Sequence, residues 1–150
     1  MTTIASTSLG YSELKEILPH TYPFLLIDKV IEFKKDESLV AVKNITVDEW
    51  VFGQLMTTAA VFPEVLLIEA AAQAALVLYC VSRVEAGAAV PLFVLGKVKA
   101  EFNKEVVIGD RLELRANSGK MLATGGYADV DIFVGQEKCG HVELIYGVRR

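Results

Sequence analysis

The chain has 150 residues, 53% of them hydrophobic, with a net charge of −4 and a pI near 5.2. That length fits a single domain over residues 1–150, with residues 1–10 expected to be flexible, and the composition is ample for a sizeable core. The acidic balance excludes general nucleic-acid binding, which needs a basic face to release counterions.

The first ten residues, MTTIASTSLG, carry no basic stretch followed by an apolar segment, so they do not read as a signal peptide. Ser12 can cap a short helix over Glu13–Leu18, which Pro19 ends. FLLIDKVIEF (Phe24–Phe33) is rich in apolar and β-branched residues and predicts a strand. KKDE (Lys34–Glu37) is its turn, and SLVAVKNI (Ser38–Ile45) alternates as an antiparallel partner. A loop is expected from about Asp48 to Phe62. Pro63 then falls at the first position of a helix, where its missing N–H is not needed, and Glu64 suits the helix dipole.

That helix should run over about 63–85 and stop before Gly87. Its middle, EAAAQAA, is apolar nearly all round, which predicts a helix wrapped by other structure. Val65–Val81 is the one candidate for a membrane span. It is short of the ~20 apolar residues a span needs, and it carries Glu69 and Gln73. A core helix is therefore expected, with no membrane partner.

After Pro91 the pattern changes to strands: Leu92–Phe102, Asp110–Ser118, Leu122–Val134 and Glu137–Val148, with turns at VIGD, GK and GQ. Short connections favour antiparallel pairing. The expected fold class is α+β: a long central helix wrapped by a curved antiparallel β-sheet, which is the arrangement of a hot-dog fold.

Several ordered segments carry a more specific likeness. LPHTYPFLLIDKV (Leu18–Val30), VKNIT with Glu49, FPEVLLIEAAAQ (Phe62–Gln73) and FNKEVVIGDRLEL (Phe102–Leu114) stand in order along the chain. Together they resemble the 3-hydroxyacyl-acyl-carrier-protein dehydratases of bacterial fatty-acid synthesis. The resemblance implies removal of water from a 3-hydroxyacyl thioester, without cofactor or metal. It implies a site at a dimer interface that pairs a histidine from the loop before the helix with an acid on the helix. The acid matches Glu69, and the glutamine one turn later matches Gln73. The helix entrance, Pro63, Glu64 and Val65, falls at the segment whose backbone N–H groups meet the thioester in that family, with Glu64 where the family has a glycine.

The loop histidine is replaced. An ungapped alignment puts Leu55 at its position, with Gln54 before it and Met56, Thr57 and Thr58 after it, and Asp48–Phe62 contains no histidine at all. The chain's two histidines lie elsewhere: His20 in the opening motif, taken as structural, and His141 on the last strand. The expectation is therefore a dehydratase-like protein acting on or binding 3-hydroxyacyl thioesters, in fatty-acid, polyketide or polyene-type biosynthesis. It would be a degenerate or partner subunit. The alternatives are an acyl thioesterase using Glu69 to activate water, or a non-catalytic homologue that binds acyl thioesters.

The acyl carrier would be acyl-carrier protein or coenzyme A. Lys97, Lys99, Lys104, Arg111 and Arg115 are the most plausible source of a basic patch for an acidic carrier. The assembly would be a homodimer, a heterodimer with a histidine-bearing hot-dog dehydratase, or a higher oligomer. Cys80 and Cys139 have no metal spacing. They suit free thiols in a reducing cytoplasm.

Overall fold

The structure, a computed structural model, describes residues 7–54 and 60–149. Leu55, on which the missing loop histidine was argued, lies outside the described residues.

Six strands make one antiparallel sheet in the order β1-β2-β4-β5-β6-β3. They are β1 (Lys29–Lys34), β2 (Ser38–Asn44), β3 (Leu92–Phe102), β4 (Arg111–Leu122), β5 (Gly125–Val134) and β6 (Glu137–Arg149). A 20-residue helix, α3 (Glu64–Arg83), lies against the sheet, packed chiefly on β4. Two short helices precede it, α1 (Tyr11–Ile17) and α2 (Trp50–Gln54). The expected α+β hot-dog arrangement is present.

The reason α3 fits is its small residues. Ala70, Ala71, Ala74 and Ala75 are buried, so the sheet backbone can approach closely. A larger side chain at Ala74, which has no exposed surface, would overpack this contact at a cost of ~1–3 kcal/mol. By length and composition α3 could cross a bilayer. Here Leu67, Val77, Leu78 and Tyr79 are instead buried in the core with Leu39, Leu112, Leu114 and Ile132 from the sheet.

The local boundaries depart from the sequence pattern where side chains compete with the backbone ladder. Helix α1 begins two residues earlier than expected. Gly10, not Ser12, stands at the cap, with its N–H donated to the Glu13 carboxylate at 3.0 Å. Pro63 is the residue before the first turn of α3, and the helix ends at Arg83, with Val84 extended behind it.

Strand β1 starts at Lys29, not Phe24. Phe24–Ile27 is apolar because Leu26 and Ile27 are buried, yet its backbone bonds go to a turn at Thr21 and to the Gln73 amide. The expected loop before α3 contains α2. Its end is held by Phe62 N–H donating to Val106 O and Ile108 N–H donating to Ala60 O.

GK at 119–120 is not a turn. Strand β4 runs through it with a register shift between Ser118 and Met121, and β5 begins only at Gly125. A side chain at Gly125 would collide with the Tyr146 carbonyl on β6, so glycine permits this close pairing.

Candidate functional site

A cavity of about 370 Å³ opens between the middle of α3 and the β3 edge of the sheet. Helix α3 supplies Glu69, Ala72, Gln73 and Leu76. Strand β3 supplies Leu92, Phe93 and Leu95, and β6 supplies Leu144 and Tyr146. Pro19 and His20 close one side. Among the described residues, Glu69 is the only carboxylate on this wall.

Gln73, one turn beyond Glu69 on the same helix face, is buried and fully used. Its Nε2 donates to Phe24 O at 2.7 Å and to Glu69 Oε1 at 3.1 Å, while its Oε1 accepts the Leu26 N–H at 3.0 Å. The side chain thus ties the Phe24–Leu26 segment to the helix and orients the acid in one step.

The residue that sequence reasoning undervalued is His20. Its Nε2 lies 3.2 Å from Glu69 Oε1, so the opening motif reaches the same carboxylate. Leu18 N–H donates to Leu14 O, and the Phe24 and Leu25 N–H groups both point at Thr21 O, which folds the segment back over α3. The signal was in the sequence: a histidine in a segment too polar and too turn-rich for the strand that followed it. No periodicity linked it to a helix almost 50 residues later.

The hydrogen bond from His20 holds the Glu69 carboxyl below its ordinary value of 4.5. Burial pushes the other way, and Gln73 adds to the lowering. Glu69 therefore enters neutral solution as a carboxylate, a proton or hydrogen-bond acceptor. Tyr146, on the far wall, has a buried hydroxyl without a partner among the described residues, and burial pushes its phenol up to about 12.

The other sequence-selected positions fall elsewhere. Pro63, Glu64 and Val65 are not part of the cavity lining, and Glu64 and Val65 are exposed on the first turn of α3. Tyr22 is exposed, while Phe24 packs against Trp50 with ring centroids 6.1 Å apart. Cys80 and Cys139 are buried free thiols, and burial pushes Cys80 up to about 12. Of the basic residues, Lys104 pairs with Glu137, and Arg111 and Arg115 pair with Glu113. His141 lies on the outer face of β6, bonded to Asp131 at 2.6 Å.

Asp129, Asp131 and His141 offer three possible metal-ligand atoms within 4.8 Å of one another. Asp131 Oδ1 is already engaged by both His141 and Lys138, and the Lys138 ammonium supplies the positive charge a cation would bring.

Near the α3 entrance, buried Lys43 pairs with Glu49 at 2.7 Å, its ammonium 5.4 Å from the Phe62 ring. Removing one member of such a buried pair typically costs ~3–5 kcal/mol. This gives Glu49, noted in the sequence motif, a structural reason to stand there.

Residues 18–142 match the FabA-like domain family. The chain is 36% identical over 141 residues to the 3-hydroxyacyl-[acyl-carrier-protein] dehydratase FabZ of Pelotomaculum thermopropionicum, covering 94% of this chain and 99% of that protein. It is 39% identical over 140 residues to FabZ of Chlamydia trachomatis, covering 92% and 91%. Among solved structures, the dehydratase heterocomplex ApeI:P of Xenorhabdus doucetiae superposes with a TM-score of 0.80 at 19% identity, over 91% of each chain. The wrapped helix, the motifs around Glu69 and these alignments lead to one conclusion: the chain belongs to the FabA-like family of hot-dog proteins, as a homologue of the FabZ dehydratases.

Proposed function

We propose that the protein acts on 3-hydroxyacyl thioesters as a dehydratase-type subunit and contributes Glu69 to a site completed by a histidine-bearing sister chain. The observation that carries this reading is a single carboxylate, oriented by Gln73 and His20, on the wall of an otherwise largely apolar cavity. Such a cavity accepts an acyl chain and presents one acceptor to its polar end.

Dehydration breaks the C2–H and C3–O bonds. The C2–H electron pair becomes the C2=C3 double bond, and the hydroxyl leaves as water after gaining a proton. The reaction needs one proton acceptor and one donor, and a positioned group of either kind is worth ~10²–10⁴-fold. Glu69 supplies one. The loop position at which a second is expected is Leu55, which can neither give nor take a proton.

A composite site resolves this. Strand β3 is an edge strand of 11 residues with Leu92, Val94 and Leu95 exposed. Open edges invite pairing with another chain. Leu92 and Leu95 also line the cavity, so a chain added along β3 would wall it. The solved neighbour from Xenorhabdus doucetiae is a dehydratase heterocomplex, and a mixed pair here would be an assembly of that kind. Two buried free thiols suit a reducing, cytoplasmic setting. Acyl-carrier protein or coenzyme A would carry the substrate.

The test is an assay of the purified chain alone and co-expressed with a histidine-bearing hot-dog dehydratase from the same genome. Very slow turnover alone and dehydration by the mixed complex is the expected result. Rapid, Glu69-dependent dehydration by the pure chain would overturn the partner role. Release of free thiol without dehydration would replace it with a thioesterase reading.

A further inference from the structure

His20 is the one histidine on the cavity wall, and its two ring nitrogens are treated differently. Nε2 faces Glu69 Oε1 at 3.2 Å. Nδ1 is buried and has no hydrogen-bond partner among the described residues. A neutral imidazole carries one N–H, and placing it on Nδ1 would bury a donor with nothing to bond. The proton therefore belongs on Nε2. Nε2 is a donor in the imidazolium as well, so Glu69 receives an N–H from His20 in either protonation state.

Both fixed donors, His20 Nε2 and Gln73 Nε2, converge on the same oxygen, Oε1; neither contact involves Oε2. The donors are also linked to each other. Gln73 anchors Phe24 O and Leu26 N–H, and these residues follow directly on the turn that carries His20. The result is a closed ring of contacts: Glu69 to Gln73, Gln73 to the 24–26 segment, that segment to His20, and His20 back to Glu69.

We propose that His20 is a positioning residue of this site, which with Gln73 clamps Glu69 by Oε1 and so presents Oε2 to the hydroxyl or the C2 proton of a 3-hydroxyacyl thioester. The role in turnover rests on the function proposed above; the clamp itself does not. Gln73 alone leaves the carboxylate free to swing about its last torsion, and an acceptor placed ~1 Å wrong can lose ~10²-fold. In this role His20 acts through the orientation and ionisation of Glu69.

Three chains separate this from a merely structural role: wild type, His20→Leu, which removes the donor at similar size, and His20→Gln, whose amide nitrogen reaches the place of Nε2. Two readouts apply. The first needs no substrate. Each chain is labelled with ¹³C at the glutamate carboxyls, and the Glu69 signal is assigned by its loss in Glu69→Gln. Its titration midpoint should rise in folded His20→Leu and return toward wild type in His20→Gln.

The second readout is dehydration by whichever complex is active. His20→Leu should lower kcat by roughly 10–10²-fold with KM little changed, and move the acid limb of kcat/KM to higher pH. His20→Gln should recover most of the rate. Among the described residues, the titratable groups on the cavity wall are His20 from the segment after α1, Glu69 from α3 and Tyr146 from β6; β3 adds only apolar side chains. Burial pushes the Tyr146 phenol up to about 12, so it does not shape an acid limb.

An unchanged Glu69 midpoint in folded His20→Leu overturns the clamp. A raised midpoint with undiminished kcat overturns the role in turnover. A raised midpoint in a chain that dehydrates nothing, alone or in complex, supports the clamp and counts instead against the function proposed for the site.

Discussion

Two histidine–carboxylate pairs stand on opposite faces of the same sheet. His20 meets Glu69 at 3.2 Å on the cavity side. His141 meets Asp131 at 2.6 Å on the outer side, since Val142, Leu144 and Tyr146 alternate inward along β6. Distance would rank the outer pair first, and burial barely separates them. Their neighbours do. Asp131 also takes Lys138 at 2.8 Å, and the second nitrogen of His141 faces Glu143 at 3.9 Å. Asp131 thus already has a cation, Lys138, within a partly exposed polar network. Glu69 has a neutral amide, one imidazole and an apolar wall. Hydrogen bonds in such surroundings are less screened, and a ligand entering them is desolvated. The same two side chains make a candidate site in one place and a surface brace in the other.

Neutralising each acid in turn separates the two pairs most directly. In the active complex, Glu69→Gln should lower dehydration by roughly 10² or more, the scale of one general acid or base. Assembly should survive, because the swap keeps size and hydrogen-bonding capacity. Asp131→Asn should leave the rate within about twofold. Steady-state kinetics of the two variants in parallel check both statements. Equal losses would mean that the outer face also takes part, and no loss in either would return Glu69 to a structural role.

Much of this contrast was legible before any coordinates. Apolar residues all round α3 demanded a wrapper, and the alternation of β6 put His141 on a strand face. Glu69 and Gln73 stood out because an acid and an amide one turn apart in such a helix need partners. What could not be read was who the partners were. His20 and Phe24–Leu26 reach them across almost 50 residues of chain, and no local period encodes such a contact. The same competition misled the strand boundary at Phe24. A buried apolar run looks like a strand when the side chain that takes its backbone bonds, Gln73, is distant in sequence. Strand β4 running past Gly119 was hidden for a related reason. A side chain at 119 would strike Tyr127 on the neighbouring strand, so its glycine serves close packing and not a turn.

The next largest effect sharpens the cavity side alone. Gln73→Leu keeps the volume but removes the partners of Leu26 N–H and Phe24 O. Orphaning the buried Leu26 N–H costs ~1–3 kcal/mol, and the part-buried Phe24 O adds less. Denaturant unfolding should show a loss in that range or somewhat above it, with hydrogen exchange at Leu26 rising first. Activity should fall along with stability, because the segment carrying His20 loses its anchor. A variant as stable as wild type would show that Phe24–Leu26 is held by packing and that the clamp on Glu69 is incidental.

Acid pH should act on both pairs with the same sign. Burial raises Asp131, but Lys138 and His141 outweigh it and hold the carboxyl below its ordinary 3.8; Glu69 is held below 4.5, first by His20. A carboxylate lowered on folding contributes stability that is complete above its unfolded value and is lost as pH falls through its folded value. Unfolding free energy should therefore be flat in these two groups near neutrality and decline below about pH 4.5. Glu69→Gln and Asp131→Asn should each flatten part of that decline, measured by denaturant titrations across the acid range.

The smallest effect belongs to the outer pair at neutral pH. Its members are partly exposed and part of a charge network, so Asp131→Asn should change stability by no more than ~1 kcal/mol. That difference should shrink in ~1 M salt, where screening acts within ~3 Å. The Glu69 clamp should be less sensitive to salt, since Gln73 is uncharged and the surrounding wall is largely apolar. A salt series on wild type, Asp131→Asn and Glu69→Gln reads this as two slopes of stability against ionic strength. Parallel slopes would mean that water and ions reach Glu69 as freely as Asp131. The apolar wall would then give the inner carboxylate none of the special character on which its candidacy rests.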